Sequence, residues 1–309
     1  MPSGIEKANK LIKNNMALNV KLGVSTWLWT SPFNTEQAAT LFKKIASLGY
    51  DVVEIAVEDP KLINGKVVYE ELKRNGLSAI ICGAFGSNRD LTSDEPKLQR
   101  DSLTYIEECL NLSVELGAKF FAGPMYSAVG KARMVSNEQR EIEWGRAVEN
   151  LRSVCEIASS KGLEIALEPL NRFESDLVNN VDDVLRMIEQ INHPAAKICL
   201  DMFHMNIEES DPGQAIRKAE DKLLHVQVSE NYRGTPGTGN ASWSEYYQAL
   251  ESIDYKGAIS IESFAPGNKE LAGAVCIWRK LAADQDTFAR DGYSFLKNWT
   301  ANNIGRQNR

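Results

Sequence analysis

The chain has 309 residues, with 35 basic and 42 acidic side chains and a formal net charge of −7. This acidic balance argues against a nucleic-acid-binding protein, which usually presents a basic face. A hydrophobic content of 43% is ordinary for a globular domain, and no apolar run reaches the roughly 18 residues of a membrane span. Five dispersed cysteines without a C-x-x-C pair predict reduced thiols and a cytoplasmic protein.

The predicted organisation is a polar N-terminal extension over residues 1–20 and a single domain over 21–300. The extension lacks the apolar core of a signal peptide. Within the domain, strands are predicted at 21–25, 51–56, 78–83, 119–122, 163–168, 197–201, 223–228 and 258–262. Helices are predicted at 35–48, 66–75, 95–116, 137–161, 181–191, 212–219 and 242–252, with a helical C-terminal region.

Eight strands that alternate with helices favour an α/β fold, a (β/α)8 TIM barrel, over an open doubly wound sheet. The absence of Gly-x-Gly-x-x-Gly after the first strand weakens the dinucleotide-binding alternative.

The fifth predicted strand ends on a carboxylate. Pro169 follows Glu168 directly, and proline neither donates to a sheet ladder nor favours helix in the preceding residue. We therefore expect Glu168 at the C-terminal tip of the strand, where α/β barrels carry their active sites.

The next three strands also end on oxygen-bearing side chains: Asp201, Gln227 and Glu262. Carboxylates that lie close together raise one another's pKa, and a divalent cation relieves that repulsion. Carboxylate and amide oxygens suit Mn²⁺, Mg²⁺ or Co²⁺. The pattern predicts a metal site made of Glu168, Asp201, Gln227 and Glu262. Any single one of these residues could equally be a helix cap or a solvated loop residue, but four on consecutive strands favour a site.

A second set of residues lies near these strand ends. Glu174, His204 and Arg233 are polar groups suited to bind a ligand. Trp29 and Phe264 follow strands one and eight, where an aromatic ring either stacks on the C–H face of a sugar or packs in the core. The loop 234–239, GTPGTG, is either a cover over the barrel mouth or an ordinary tight connection.

Four segments in order, LEPLNRFE, LDMFHMNIEE, ENYRGTPGTG and IESF, resemble the D-tagatose 3-epimerase / D-psicose (allulose) 3-epimerase family, whose fold is a xylose-isomerase-like barrel. The resemblance implies a divalent cation, Mn²⁺ first, held by Glu168, Asp201, Glu262 and a histidine. Gln227 stands in place of that histidine. This departure predicts weaker binding of transition metals, a shift toward oxygen-preferring cations, or a changed reaction. The resemblance assigns Glu174, His204 and Arg233 to the substrate.

The residues and the resemblance agree on one mechanism. A cation chelated by a ketone oxygen and a neighbouring hydroxyl stabilises the cis-enediolate that forms when the adjacent carbon loses its proton. Glu168 and Glu262, on opposite faces of this intermediate, act in turn as base and acid and invert C3. We therefore predict an isomerase, a metal-dependent ketose 3-epimerase, in which Glu174, His204 and Arg233 orient the sugar hydroxyls.

Three alternatives stay open at this point. The same site suits an aldose–ketose isomerase or a 3-keto-glycoside lyase or hydrolase, and Gln227 gives weight to both. A sugar-binding barrel with a decayed metal site is the non-enzymatic reading. The expected partner is a small-molecule sugar, with no nucleic acid and no membrane, and the resemblance implies a homodimer or homotetramer.

Overall fold

The computed structural model describes residues 17–302. Most of the predicted N-terminal extension, residues 1–16, therefore lies outside the described residues. The eight strands are β1 (Lys21–Ser25), β2 (Val52–Val57), β3 (Ser78–Gly83), β4 (Phe120–Gly123), β5 (Glu164–Leu167), β6 (Ala196–Asp201), β7 (Leu223–Val228) and β8 (Ala258–Ile261). The helices are α1 (Thr35–Leu48), α2 (Gly65–Asn75), α3 (Pro96–Glu115), α4 (Asn137–Ser160), α5 (Val181–Ile191), α6 (Met202–Glu208), α7 (Pro212–Ala219), α8 (Trp243–Ser252), α9 (Lys269–Ala274) and α10 (Gln285–Thr300).

The strands form a closed parallel barrel in which each pairs with the next and β1 pairs with β8. The predicted (β/α)8 fold is confirmed. The closing pair is tight at Gly23, which lies opposite Ser260, because a Cβ on Gly23 would stand 2.4 Å from the Ser260 hydroxyl oxygen. A side chain larger than hydrogen at this position would push β1 and β8 apart.

Local capping explains why several helix bounds agree with the sequence prediction. At the start of α1, the Asn34 side chain accepts from the Glu36 amide at 3.0 Å, and the Gln37 side chain accepts from the Asn34 amide at 3.0 Å. This capping box satisfies backbone donors that the first turn leaves unpaired. At the other end, Gly49 has a φ of 101°, which ends the helix in the left-handed region.

The hydrophobic core lies mainly between the barrel and the surrounding helices, as expected for this architecture. Inside the barrel a small cluster of Ala122, Ala166 and Cys199 fills the interior, and polar side chains lie above it toward the C-terminal end of the strands. Among residues 17–302, no helix is long and apolar enough to cross a membrane.

One helix was not predicted. Helix α6 starts directly after β6, and the Asp201 carboxylate caps it by accepting from the Phe203 amide at 2.9 Å. The sequence allowed Asp201 as a helix cap but predicted no helix after it, although an aspartate before a run of helix-compatible residues is a capping signal.

Candidate active site

The four residues predicted at the strand ends meet at the C-terminal mouth of the barrel. Asp201 is the last residue of β6 and Gln227 lies within β7, while Glu168 and Glu262 come directly after β5 and β8. All four side chains are buried, with at most 4% of any residue exposed. Because parallel strands deliver their carboxyl ends to one edge, residues far apart in sequence form a single buried cluster here.

The Arg233 guanidinium joins two of these carboxylates. Its Nη1 hydrogen-bonds the Asp201 carboxylate and lies 2.9 Å from Oε2 of Glu262. The guanidinium also lies over the rings of Phe203 and Phe264, 4.2 Å and 5.3 Å from their centroids. Burial opposes the charge, but the surrounding carboxylates outweigh it and raise the pKa of Arg233. Arg233 is therefore a permanent cation inside the cluster.

The loop after β7 holds Arg233 in place. Arg233 has a φ of 63°, and its carbonyl accepts from the Ser263 hydroxyl at 2.8 Å. The buried Glu230 carboxylate accepts from the Gly237 amide and from the Trp243 indole nitrogen, each at 2.7 Å. Residues 233–236 are buried and 237–240 are exposed, so the first half of the predicted GTPGTG loop packs into the protein and the second half faces solvent.

The three carboxylic acids of the cluster are electrostatically unequal. Burial, together with the nearby Glu262 and Asp201 charges, holds the pKa of Glu168 well above its usual range. Burial also raises the pKa of Glu262 well above its usual range, and Arg233 only partly offsets this. For Asp201, the attraction of Arg233 and His204 outweighs burial, so its pKa is lowered. Glu168 and Glu262 are therefore the two groups of the cluster inclined to carry protons.

The predicted residues Glu174 and His204 are linked through Asn171, which the sequence did not single out. The Asn171 backbone amide donates to His204 Nδ1 at 3.1 Å, and its side-chain nitrogen lies 2.8 Å from the same atom. That side chain also donates to Glu174 at 2.8 Å. Because Nδ1 accepts, the neutral ring carries its proton on Nε2, which lies 3.6 Å from Asp201 and 3.7 Å from Glu168. Burial lowers the pKa of His204, which favours this neutral form.

The two predicted aromatic residues lie in different places. Phe264 is buried at the site, 5.5 Å from the Trp27 ring and beneath Arg233. Trp29 instead donates its indole N–H to Asp286 of α10 at 2.7 Å. Among residues 17–302, no hydrogen bond or ring contact joins Trp29 to the carboxylates, and Trp27 is the tryptophan beside the site.

Sequence reasoning missed Glu54, which is buried within β2. Its carboxylate lies 2.5 Å from His225 Nε2 and accepts from Gln227 Nε2 at 3.0 Å. A signal was present, because Glu54 is the only charge in the run VVEIAV, and a charge in a fully buried strand needs a partner. His225 and Gln227 share the inward face of β7, as predicted for residues two apart.

The buried carboxylates fit a divalent cation. Ligand atoms of Glu168, Asp201 and His204 all lie within 4.8 Å of one another. Within residues 17–302, no hydrogen bond to the Glu168 carboxylate is found. The Arg233 guanidinium forms ion pairs with Asp201 and Glu262 instead. Three acids around one fixed positive charge leave negative charge that a hard or borderline cation would balance.

Comparison with known proteins decides the family. Residues 42–298 match the model of the xylose isomerase-like TIM barrel family. The chain belongs to this family. It is 30% identical over 278 residues to a probable ketose 3-epimerase of Synechocystis, covering 90% of this chain and 96% of that protein. An L-ribulose 3-epimerase of Methylomonas is also 30% identical, with 90% and 97% of the two chains covered.

Solved structures agree with these sequence matches. The crystal structure of a Methylomonas D-allulose 3-epimerase in complex with D-allulose has a TM-score of 0.84 and 30% identity, covering 92% of this chain and 99% of that one. The structure of an L-ribulose 3-epimerase has a TM-score of 0.87 at 26% identity, covering 93% of this chain and 97% of that one. The resemblance to the 3-epimerase family is confirmed, and so is the prediction of an enzyme of the isomerase class.

Proposed function

We propose that the protein is a divalent-cation-dependent ketose 3-epimerase. The observation that carries this proposal is the pair of buried acids Glu168 and Glu262, which follow different strands and lie in the same cluster as the Asp201–Arg233 ion pair. Two-sided access to one carbon requires two proton carriers in different places, and these acids follow β5 and β8. The 3-epimerases among the relatives support the same reaction.

A divalent cation held by Glu168, Asp201 and Glu262, with Mn²⁺ our first expectation and Mg²⁺ or Co²⁺ the others, would supply charge that stabilises a ketone oxygen as it becomes negative. Asp201 suits the role of a constant ligand because its lowered pKa keeps it ionised. Gln227 is not included in this ligand set, because its amide nitrogen rather than its oxygen faces Glu262.

The proton chemistry belongs to Glu168 and Glu262. The ionised member of the pair takes the proton from C3 of the ketose, and the protonated member returns a proton to the opposite face of that carbon. The ionised acid acts as the general base, and the protonated acid acts as the general acid. Inversion at C3 follows when the two proton carriers lie on opposite faces.

The remaining residues bind and orient the sugar. Arg233 offers fixed guanidinium donors beside Asp201, and Glu174 offers an acceptor tied to His204 through Asn171. Phe264 and Trp27 supply an apolar wall that excludes water and suits the C–H face of a sugar. Fixed donors and an apolar wall hold the bound substrate in one orientation. The substrate therefore loses less entropy when it reaches the transition state.

The experiment is a substrate panel. The purified protein, loaded with Mn²⁺, is incubated with free ketoses, and the products are separated by chromatography. We expect a C3 epimer from at least one ketose and none from the Glu168→Gln or Glu262→Gln variant. An aldose as the sole product would instead indicate an aldose–ketose isomerase.

One relative favours a second substrate class. A 3-dehydro-D-guloside 4-epimerase of Escherichia coli is 29% identical over 236 residues, covering 74% of this chain and 88% of that protein. Keto-glycosides therefore belong in the same panel. Turnover of a keto-glycoside without turnover of any free ketose would favour that class, including the lyase or hydrolase reactions that the sequence left open.

A further inference from the structure

The amide of Gln227 is completely buried and each of its polar atoms has a partner. Nε2 donates to Oε1 of Glu54 at 3.0 Å and to Oε1 of Glu262 at 3.0 Å. On the other side, Oε1 accepts from the Cys199 thiol at 3.3 Å. Both amide hydrogens thus point to carboxylates, and the oxygen points to a weak donor.

The surroundings dictate this orientation. As placed, the two amide hydrogens match two carboxylate oxygens, Oε1 of Glu54 and Oε1 of Glu262. A half-turn of the amide would leave its one oxygen facing both carboxylates and would remove both of these hydrogen bonds. The N–H₂ side of Gln227 therefore faces the acids.

Glu54 is itself anchored on the far side of the barrel. Its second oxygen lies 2.5 Å from His225 Nε2, and His225 Nδ1 lies 3.2 Å from the Ala258 carbonyl oxygen. Glu54 belongs to β2, whereas His225 belongs to β7. Every polar atom of this buried chain has a partner, and fully satisfied buried networks hold their members rigidly.

We propose that Gln227 is a positioning residue for Glu262 and not an oxygen ligand of the cation, and that Glu54 and His225 hold it in that role. Gln227 binds Oε1 of Glu262, and Arg233 lies 2.9 Å from Oε2. Both oxygens of this proton carrier are therefore fixed, which sets the direction from which it meets the substrate. The kinetic part of this assignment depends on the proposed epimerase reaction, whereas the amide orientation does not.

The orientation of the Gln227 amide can be tested by NMR without measuring enzyme turnover. Glutamine side chains are labelled with ¹⁵N, and the Gln227 signals are assigned as those lost in the Gln227→Met variant. We expect both amide protons to exchange slowly with solvent and to remain slow when Mg²⁺ is added, because the carboxylates keep them. A large shift with fast exchange on adding Mg²⁺ would mean that the amide turns its oxygen to the cation, and this result overturns the proposal.

The positioning role is tested by kinetics on the ketose with the best turnover. Methionine matches the length of glutamine but has no N–H, so Gln227→Met should lower kcat by about 10²-fold while KM changes little. Glu54→Gln keeps the volume and should also lower kcat. The double variant should be no slower than Gln227→Met, since both changes act through one chain of hydrogen bonds. Gln248→Met, on the exposed face of α8, is the matched control and should behave as wild type.

The two proposals fail in different ways. Full kcat in Gln227→Met, or strictly additive effects in the double variant, overturns the positioning role. If Gln227→Met does not fold, Glu54→Gln with unchanged kcat overturns it as well. Slow amide exchange in a wild-type protein that turns over no ketose would leave the orientation of Gln227 standing and remove the epimerase proposal.

Discussion

Asp201 and Arg233 form a buried ion pair that ties the end of β6 to the loop after β7. The guanidinium lowers the pKa of Asp201, yet it does not prevent burial from raising the pKa values of Glu168 and Glu262. The three acids therefore differ, with a lowered pKa at Asp201 and raised pKa values at Glu168 and Glu262. This separation is the electrostatic basis of the proposed acid–base pair.

Removing either proton carrier should abolish most turnover. Glu168→Gln and Glu262→Gln keep the shape but cannot take or return a proton, so we expect kcat to fall by about 10²- to 10⁴-fold. The measurement is steady-state kinetics with the cation in excess. Glu107→Gln, at an exposed position of α3, is the control. Wild-type kcat in either site variant would rule that residue out as a proton carrier.

Arg233 should matter for stability as well as for activity. Arg233→Met leaves Asp201 and Glu262 buried without their partner, which typically costs about 3–5 kcal/mol of unfolding free energy. Urea unfolding in the absence of divalent cation measures this loss. We expect Arg233→Lys to lose less stability but still to raise KM, because an ammonium group lacks the planar fork of guanidinium. Equal stability of Arg233→Met and wild type would contradict a structural role for the pair.

Glu230 should control the loop that carries Arg233. Replacing it with glutamine removes the charge that accepts from Gly237, Ala241 and Trp243. Bonds to a charged group contribute about 1.5–3 kcal/mol, so the free energy of unfolding should fall by that order and KM should rise. Thermal unfolding and KM are measured together, with Glu245→Gln on α8 as the control. A loss of stability with unchanged KM would show that Glu230 anchors the loop without contributing to substrate binding, which would contradict this prediction.

The acid limb of the stability curve should depend on Glu143. Burial alone would raise the pKa of Glu143, but the Arg133 and Gln139 hydrogen bonds and the nearby Lys131 charge outweigh it and lower the pKa from 4.5 to about 2. The folded protein therefore binds this proton less tightly than the unfolded chain, so the stabilisation is complete above pH 4.5 and is lost as the pH falls toward 2. Urea unfolding as a function of pH should show a shallower slope in Glu143→Gln within this window. Identical slopes would contradict the assignment.

Removing the cation should lower both activity and stability. We expect a chelator to abolish turnover and added Mn²⁺ to restore it. Because the cation binds only the folded site, saturation at 100 times its dissociation constant should stabilise the protein by about 2.7 kcal/mol. Thermal unfolding with and without Mn²⁺ checks this, and Asp201→Asn should reduce the difference. Full activity after exhaustive chelation would contradict a metal-dependent reaction.

Much of the barrel was predictable because its signals are local. The bounds of α1 follow from Asn34, Gln37 and Gly49, which act on their own helix. Glu168 was placed at a strand end because Pro169 ends the strand. Helix α6 was not predicted because the sequence pattern favoured Asp201 as a ligand over the helix cap that it forms.

The pairings across the barrel were not predictable in the same way. Glu54 and His225 are 171 residues apart and meet only because the strands close into a ring. Trp29 follows a 3-10 turn over Thr26–Leu28, and its indole N–H donates to Asp286 of α10, 257 residues away in the sequence. The Trp27 ring lies 5.5 Å from the ring of Phe264, which follows β8. Local sequence patterns specify neither event.

Proton exchange at C3 is the most direct test of the proposed acid–base pair. The cation-loaded protein is incubated with its best ketose in D₂O, and deuterium incorporation is followed by NMR. We predict deuterium at C3 of both epimers in wild type, and no deuterated epimer product in Glu168→Gln or Glu262→Gln. Epimer formation without deuterium at C3, or deuterium only at C1, would contradict the account.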